Sequence, residues 1–419
     1  MSKLLVIADD LTGSLDTGIQ FAKCGISTKV EIGTAPSNFG SDVIVLDTES
    51  RHMAPKDAYY KVFALVKSLK GHIDYIYKKT DSTLRGNIGA EFKAILDNFN
   101  SPIFFIPAYP EQGRITKNGI QYVNGTPIAE SIFAKDPLNP VKKSFIPDII
   151  REQTDIKTFV VTKDKYESIL NDNLEAGIYI FDGKTRRDLD RIGKLLKEKN
   201  LLKYTAGSAG FAQTLTKLIE FKTKLIPFKI PLKAQPLIII CGSINEKSLK
   251  QIEYTKKQGE VLDKVLSPEE IFKKKRFFLK ASDLKNYEII VIRTVEKPSD
   301  IKMYEEYARA NSIKIEDLPL IVAKRLGEIT QRLLIRTGKN ILVVFGGDTF
   351  SSIVNRLHIK CLIPLLEIDK GVVLSTVKDK SLFFITKAGG FGDEDVIEKI
   401  LELVNREKFK SIYEVLECL

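Results

Sequence analysis

Leu4-Leu5-Val6-Ile7-Ala8-Asp9-Asp10-Leu11-Thr12-Gly13 starts with five apolar residues and breaks at two aspartates. An unbroken apolar run of this length lacks the alternation of a strand with one wet face, so it reads as a strand covered on both sides. Leu15, Ile19 and Ala22 then recur at helical spacing, and Gly25 stands where a helix would end. Working outward, Val43–Leu46 repeats the apolar run. Pro55 opens a segment with Tyr59, Val62, Phe63, Val66 and Leu69 on one helical face, closed by Gly71. Ile73–Tyr77 predicts a third strand, Ile88, Phe92, Ile95 and Leu96 a third helix, and Ile103–Ile106 a fourth strand. Strands and helices alternating through short connections make βαβ units, hence a parallel sheet flanked by helices.

Beyond the fourth strand the period changes. Asn118-Gly119 and Asn124-Gly125 are hairpin-turn signals on either side of Ile120–Val123, and they predict a small β-excursion. Pro227, Pro231 and Pro236 fall in the stretch from Ile226 to Pro236, which predicts an extended linker. The reading is a domain over 1–225, a linker over 226–236 and a domain over 237–419, in line with ~100–200 residues per domain. The second half restarts with a buried strand, Leu237–Ile240, and a helix after Asn245. Strands Ile289–Ile292, Ile341–Phe345 and Leu382–Ile385 follow, with a long helix near Ile321–Arg336. The expected class is α/β, two domains each built on a largely parallel sheet flanked by helices.

The chain carries 65 lysines and arginines against 54 acids, net +11. The excess is dispersed. Lys273-Lys274-Lys275-Arg276 is short and lacks interleaved aromatics, so solvated helix faces are expected rather than a nucleic-acid groove. A modest positive field also suits small anionic ligands. No apolar run approaches the ~18 residues of a membrane span. Ser2-Lys3 leads straight into the first strand, without the pattern of a signal peptide. Cys24, Cys241, Cys361 and Cys418 are far apart and His52, His72 and His358 are scattered, so neither a disulfide frame nor a zinc site is expected. The expectation is a cytoplasmic protein whose partners are small molecules, with no nucleic acid and no membrane. A homo-oligomer is left open.

Ligands of open parallel sheets bind beyond the carboxyl ends of the strands. Four strands of the first half end in polar clusters: Asp9-Asp10-Leu11-Thr12-Gly13, Asp47-Thr48-Glu49-Ser50-Arg51, Lys78 to Gly86, and Tyr109 to Arg114. Taken singly, each reads as a capped turn. Gathered on one edge, they offer Arg51, Arg85 and Arg114 for carboxylate recognition, with carboxylates and hydroxyls for a polyol. The second half differs. Cys241-Gly242-Ser243-Ile244-Asn245, Gly346-Gly347-Asp348-Thr349 and Lys387-Ala388-Gly389-Gly390-Phe391-Gly392 are small-residue turns, each after a strand. Glycine lets backbone N–H groups approach a phosphate at a helix N-terminus. Neither a P-loop nor a dinucleotide fingerprint occurs.

At these clusters the chain resembles the four-carbon acid sugar kinases, ATP-dependent enzymes acting on threonate, erythronate or oxo-tetronates. The resemblance runs nearly end to end. It is carried by Ile7 to Gly13, Asp81-Ser82-Thr83-Leu84-Arg85-Gly86, Tyr122-Val123-Asn124-Gly125, Asp136-Pro137-Leu138-Asn139-Pro140, Gly207-Ser208-Ala209-Gly210, Gly346-Gly347-Asp348-Thr349 and the lysine–glycine turn at Lys387. It implies a sugar-acid domain followed by a nucleotide domain, with the active site between them. It places Asp10, Arg51 and the Asp81–Arg85 segment at the substrate, and ATP against Ser243, the Gly346–Thr349 turn and Gly389. Ala388-Gly389-Gly390 departs from the family's Ser-Gly-Asn-like sequence, and the Thr80 position is also atypical, which bears on substrate choice.

The mechanism expected on this basis has Arg51 and Arg85 hold the acid's carboxylate. Asp10, ahead of Asp9, orients or deprotonates the terminal hydroxyl. Mg²⁺ bridges the ATP phosphates with Asp348 as a direct or water-mediated ligand, and Lys79 or Lys387 offsets the transferring charge. Helix capping is the competing role for one of the aspartates, and a solvent-exposed cation the competing role for Lys387. A sugar-acid sensor without turnover and a nicotinamide-dependent oxidoreductase are the rival functions.

Overall fold

β1 (Ser2–Ala8) runs between β3 (Val43–Asp47) and β4 (Ile73–Lys79) in a parallel array, with every residue from Leu4 to Ala8 fully buried. The computed structural model describes residues 2–33, 39–136, 138–169, 173–222, 236–273, 277–378 and 380–405. The chain separates into two compact units, Met1–Lys224 and Leu225–Leu419. In the first, β2 (Thr28–Ile32), β5 (Ile103–Ile106), β9 (Thr158–Val161), β10 (Ile178–Phe181) and β11 (Tyr204–Gly207) extend the array. The strand order is β2-β3-β1-β4-β11-β5-β10-β9, parallel throughout. Helices Pro55–Leu69 and Ile88–Phe99 press Val62, Val66, Phe92 and Ile95 onto one face, against Leu5, Ile7, Ile44 and Leu46. Removal of that apolar area from water, about 25 cal/mol per Å², drives the packing.

The excursion is present as a three-stranded antiparallel ribbon, β6 (Arg114–Lys117), β7 (Ile120–Val123) and β8 (Thr126–Pro127). Both Asn-Gly pairs take the left-handed backbone that a two-residue hairpin turn demands, with φ of 52° and 71° at Asn118-Gly119 and 49° and 85° at Asn124-Gly125. One boundary differs from expectation. The helix expected to run up to Gly25 ends at Ala22, and Gly25 (φ 75°) belongs to the turn beyond it.

In the second unit β12 (Leu237–Cys241), β13 (Val261–Val265), β14 (Ile289–Arg293), β15 (Ile341–Phe345) and β18 (Lys380–Lys387) run parallel in the order β13-β14-β12-β15-β18. β16 (Cys361–Asp369) and β17 (Val372–Val377) continue from β18 as an antiparallel meander that sequence periodicity did not reveal. The α/β class with largely parallel sheets holds for both units. The expected linker falls, apart from Pro236, outside the described residues, as does most of the Lys273–Arg276 run. No helix among the described residues is long and apolar enough to cross a membrane.

Candidate active site

Because β3, β1, β4, β11 and β5 are parallel neighbours, the four polar clusters of the first unit leave the sheet at one edge. Their center is a double clamp. Arg51 donates from Nε to Asp9 Oδ2 (2.7 Å), from Nη1 to Asp10 Oδ2 (2.7 Å), and from Nη2 to both Asp9 Oδ1 (3.0 Å) and Asp10 Oδ1 (2.8 Å). Backbone bonds fix the approach. Thr48 N donates to Ala8 O (2.9 Å) and Arg51 N to Asp9 O (3.2 Å). Asp9 is 2% exposed, yet its carboxyl stays below the usual range: burial opposes its charge, but Arg51, Lys78 and Lys79 together outweigh that cost. Helix capping falls to Asp10, which accepts from Gly13 N (3.0 Å) at the head of the helix Leu11–Ala22.

The sequence assigned Arg51 and Arg85 to the substrate carboxylate, and the structure gives both arginines internal partners. Arg85 Nε donates to Asp81 Oδ2 (2.6 Å) and Nη1 to Asp136 Oδ2 (2.9 Å). Thr83 Oγ1 also bonds Asp81 Oδ2. The Arg85 guanidinium holds Asp81 far below the normal carboxylate range even though burial works the other way. The Asp81–Gly86 loop abuts the clamp. At Gly86 (φ +90°) a Cβ would sit 3.2 Å from Asp9 Oδ2, so the close approach requires glycine. Leu84, buried, takes φ 58°, a left-handed conformation that bulky residues adopt only when the surroundings enforce it. Lys79, 4% exposed, donates to Thr80 O (2.8 Å), and its Nζ lies 3.1 Å from where a Cβ on Gly13 would be, against the first turn of the capped helix. Ser82 and Thr83 are buried in the same loop. The Arg114 side chain donates from Nη1 to Gln112 O.

Asp136 was legible only as part of a motif, and its role as the second anchor of Arg85 was not foreseen. Nor was a buried pair behind the clamp, Lys78 and Glu91 at 3.0 Å. Burial pushes the Glu91 carboxyl above its usual value, with Lys78 pulling it back. The available signal was an acid in the first turn of a helix otherwise apolar on that face.

In the second unit the three glycine turns meet. A Cβ on Gly389 would come within 2.6 Å of Ser243 Oγ and 2.9 Å of Asn245 Cβ, and one on Gly242 within 2.0 Å of Thr349 Oγ1. One on Gly346 would lie 3.3 Å from Ser243 N. Gly346 carries the positive φ (+115°) of its turn, whereas Gly347 is the first residue of the helix Gly347–Arg356. Asp348 is exposed in that helix's first turn, and Gly390 has open space around it. Lys387 is 1% exposed, which removes the competing reading of a solvent-exposed cation. Its ammonium donates to Ser248 Oγ (2.8 Å) and to the carbonyls of Ala388, Gly389 and Phe391 (3.2 Å each), and sits 4.6 Å from the center of the Phe345 ring. Burial pushes its pKa down to about 7. The four acceptors explain why a lysine is tolerated there, and they make it the brace of the Ala388–Phe391 turn.

A family model described as a sugar-binding N-terminal domain matches residues 4–215, and one described as a nucleotide-binding C-terminal domain matches residues 238–397. The chain belongs to the four-carbon acid sugar kinase family. It is similar to a D-threonate kinase of Salmonella typhimurium, 29% identical over 94% of this chain and 96% of that one. A D-erythronate kinase of Heliobacterium modesticaldum is 28% identical over 80% of each chain. A 3-oxo-tetronate kinase of Burkholderia multivorans is 25% identical over 95% of this chain and 96% of the other. Among solved structures, a Haemophilus influenzae protein shares the fold with a TM-score of 0.70, at 22% identity and covering 96% of this chain and 100% of that one. Within this family the polar edge belongs to the sugar-binding domain and the glycine cradle to the nucleotide-binding domain.

Proposed function

We propose that this chain is an ATP-dependent kinase that phosphorylates a four-carbon sugar acid (threonate, erythronate or an oxo-tetronate) on a hydroxyl, the terminal one in our reading, in the cytoplasm. The observation that carries this reading is the pairing, in one chain, of a carboxylate-and-arginine edge at Asp9, Asp10, Arg51 and Asp81 with a cradle at Ser243, Gly346 and Gly389, where a Cβ on Gly389 would fall 2.6 Å from Ser243 Oγ.

Phosphoryl transfer asks for positioning, charge neutralisation and an oriented nucleophile. Asp10 is the more exposed member of the clamp, at 19% of its side chain against 3% for Asp9. It is therefore the carboxylate that a substrate hydroxyl reaches. Arg51 fixes its direction. Asp10 takes the hydroxyl proton as the oxygen bonds to the γ-phosphorus and the bond to the bridging oxygen of ADP breaks. Asp9, held ionised, keeps Arg51 in place. Lys79 offsets the charge that develops, and Ser82, Thr83 and Asp81 line the acceptor. Backbone N–H groups at Ser243, Gly346–Thr349 and Gly389 receive the ATP phosphates, with Gly390 leaving room and Lys387 holding the turn. A single exposed carboxylate fits Mg²⁺, which takes one or two protein carboxylates and fills its shell with phosphates and water. Asp348 would hold it there, and the ion would neutralise phosphate charge.

An ADP-release screen over the stereoisomers of threonate, erythronate and the oxo-tetronates tests the reading. Turnover with one or more acids is expected. Acid binding without ADP release would instead make the chain a sensor, and a response to NADH an oxidoreductase.

A further inference from the structure

Three arginines enter the acceptor region, and two are already neutralised: Arg51 by Asp9 and Asp10, Arg85 by Asp81 and Asp136. Arg114 is not. Among the described residues its side chain forms no ion pair, donates from Nη1 to the Gln112 carbonyl, and has a buried Nε without a partner. Asp81 and Arg85 both act on its charge, so the guanidinium lies beside the Asp81–Arg85 loop. A partly buried cation whose nearby carboxylate, Asp81, is already paired with Arg85 is costly to maintain unless an anion arrives.

The position is also built. Gly113 (φ +69°) precedes Arg114, and a Cβ there would fall 2.0 Å from Asn124 Oδ1. Asn124 N closes the turn by donating to Gly113 O (2.8 Å). The ribbon that carries Arg114 is tied to the substrate loop through Gln121, which is fully buried. Gln121 Nε2 donates to Ser82 O (3.0 Å), and its Oε1 accepts from Thr116 Oγ1 (2.8 Å). Groups whose surroundings fix them in advance bind with less ordering cost.

We propose that Arg114, and not Arg51 or Arg85, recognises the carboxylate of the acceptor acid and so selects sugar acids over neutral polyols. The proposal rests on the kinase reading above and adds the residue that sets its substrate class. The planar fork can meet both carboxylate oxygens, and the clamps of Arg51 and Arg85 stay intact when the acid binds.

The test is calorimetry on the full chain with D-threonate, D-erythronate and the neutral tetritols threitol and erythritol, beside thermal melts without ligand. Arg114→Ala should weaken the bound acid about 30-fold or more, the loss typical of removing one partner from a buried charge pair. It should leave tetritol and ATP affinity unchanged. KM for the acid should rise more than kcat falls. Arg114→Lys should recover part of the loss, since it keeps the charge without the fork. The melting temperature of the ligand-free variant should stay level or rise, because an unpaired cation has been removed. A change in acid affinity below threefold, or a parallel loss for acid and tetritol with a lower melting temperature, overturns the proposal and leaves the kinase reading standing. Failure of the parent protein to bind any of the acids would overturn the kinase reading itself, and this proposal with it.

Discussion

Arg51 is the residue whose removal the structure makes most consequential. Replacement by methionine keeps the aliphatic stem and deletes four charge-assisted hydrogen bonds of 2.7–3.0 Å. Asp9 cannot recover them from water, since it is 2% exposed, whereas Asp10 can in part. Breaking a buried pair by deleting one partner costs about 3–5 kcal/mol. For a unit of this size, each kcal/mol moves the midpoint by roughly 2–4 °C, so Arg51→Met should melt about 6–20 °C lower. The pH dependence carries a sign. Asp9 titrates below 3.8 in the folded protein, so its contribution is present above that value and is lost as pH falls through the folded one. In the variant a proton on Asp9 relieves the buried charge, and the deficit against the parent should shrink from pH 7 toward pH 4. Adding Asp9→Asn to Arg51→Met removes both buried charges and should restore about 2 kcal/mol or more. Urea unfolding of the parent, the two single variants and the double variant, at several pH values, gives the full cycle. A loss under 1 kcal/mol that does not vary with pH, or a double variant worse than the sum of the singles, would refute the clamp as the organiser of this edge.

Asp10→Asn keeps the helix cap, since asparagine caps as well as aspartate, so the fold should hold while kcat falls roughly 10²–10⁴-fold in steady-state assays. Near-full activity there beside a dead Asp9→Asn would exchange the roles of the two. Gly389→Ala, which drives a Cβ to 2.6 Å from Ser243 Oγ, should weaken ATP binding at least about tenfold with acid affinity kept, as read by calorimetry. Loss of acid affinity alone would reverse the assignment of the two domains. Lys387, with its pKa pushed down to about 7, binds its proton less readily folded than unfolded, so stability should rise with pH from about 7 to 10. Lys387→Met should flatten that slope in pH-dependent melts. ATP with Mg²⁺ at 100 times Kd should stabilise the protein by ~2.7 kcal/mol in a thermal shift, and NADH should not.

The parallel sheets were legible because runs such as Leu4–Ala8 and Ile341–Phe345 are apolar on both faces, and the ribbon because Asn-Gly pairs admit few other turns. β2 and β13 were not, since Thr28–Ile32 and Val261–Val265 place charges among their apolar residues. β16 and β17 hid in one long apolar stretch, although Lys370-Gly371, with φ +69° at the glycine, marked the turn between them. At the site, strand order alone brings the clusters together, so their presence could be read. The partners could not. Arg51 reaches Asp9 and Asp10 across forty-odd residues and Arg85 reaches Asp136 across fifty-one, and only the folded chain decides which guanidinium meets which carboxylate. For the same reason Arg114 stood behind Arg51 and Arg85 in the expected recognition of the carboxylate. For Lys387 an exposed cation and a charge-offsetting role stood side by side, because lysines are usually exposed; the carbonyls that bury it come from the turn's own backbone.

In our proposal the γ-phosphoryl group of ATP moves onto the terminal oxygen of a four-carbon acid. Phosphorus NMR of the product, formed from ATP, Mg²⁺ and the acid most active in the ADP-release screen, tests it most directly. A phosphate monoester signal coupled to two protons is expected, as a terminal CH₂–O–P group requires, growing in step with ADP. A monoester split by a single proton would move the site of transfer to an internal hydroxyl. Inorganic phosphate alone, or no change in the ATP signals with any of the acids, would contradict the claim.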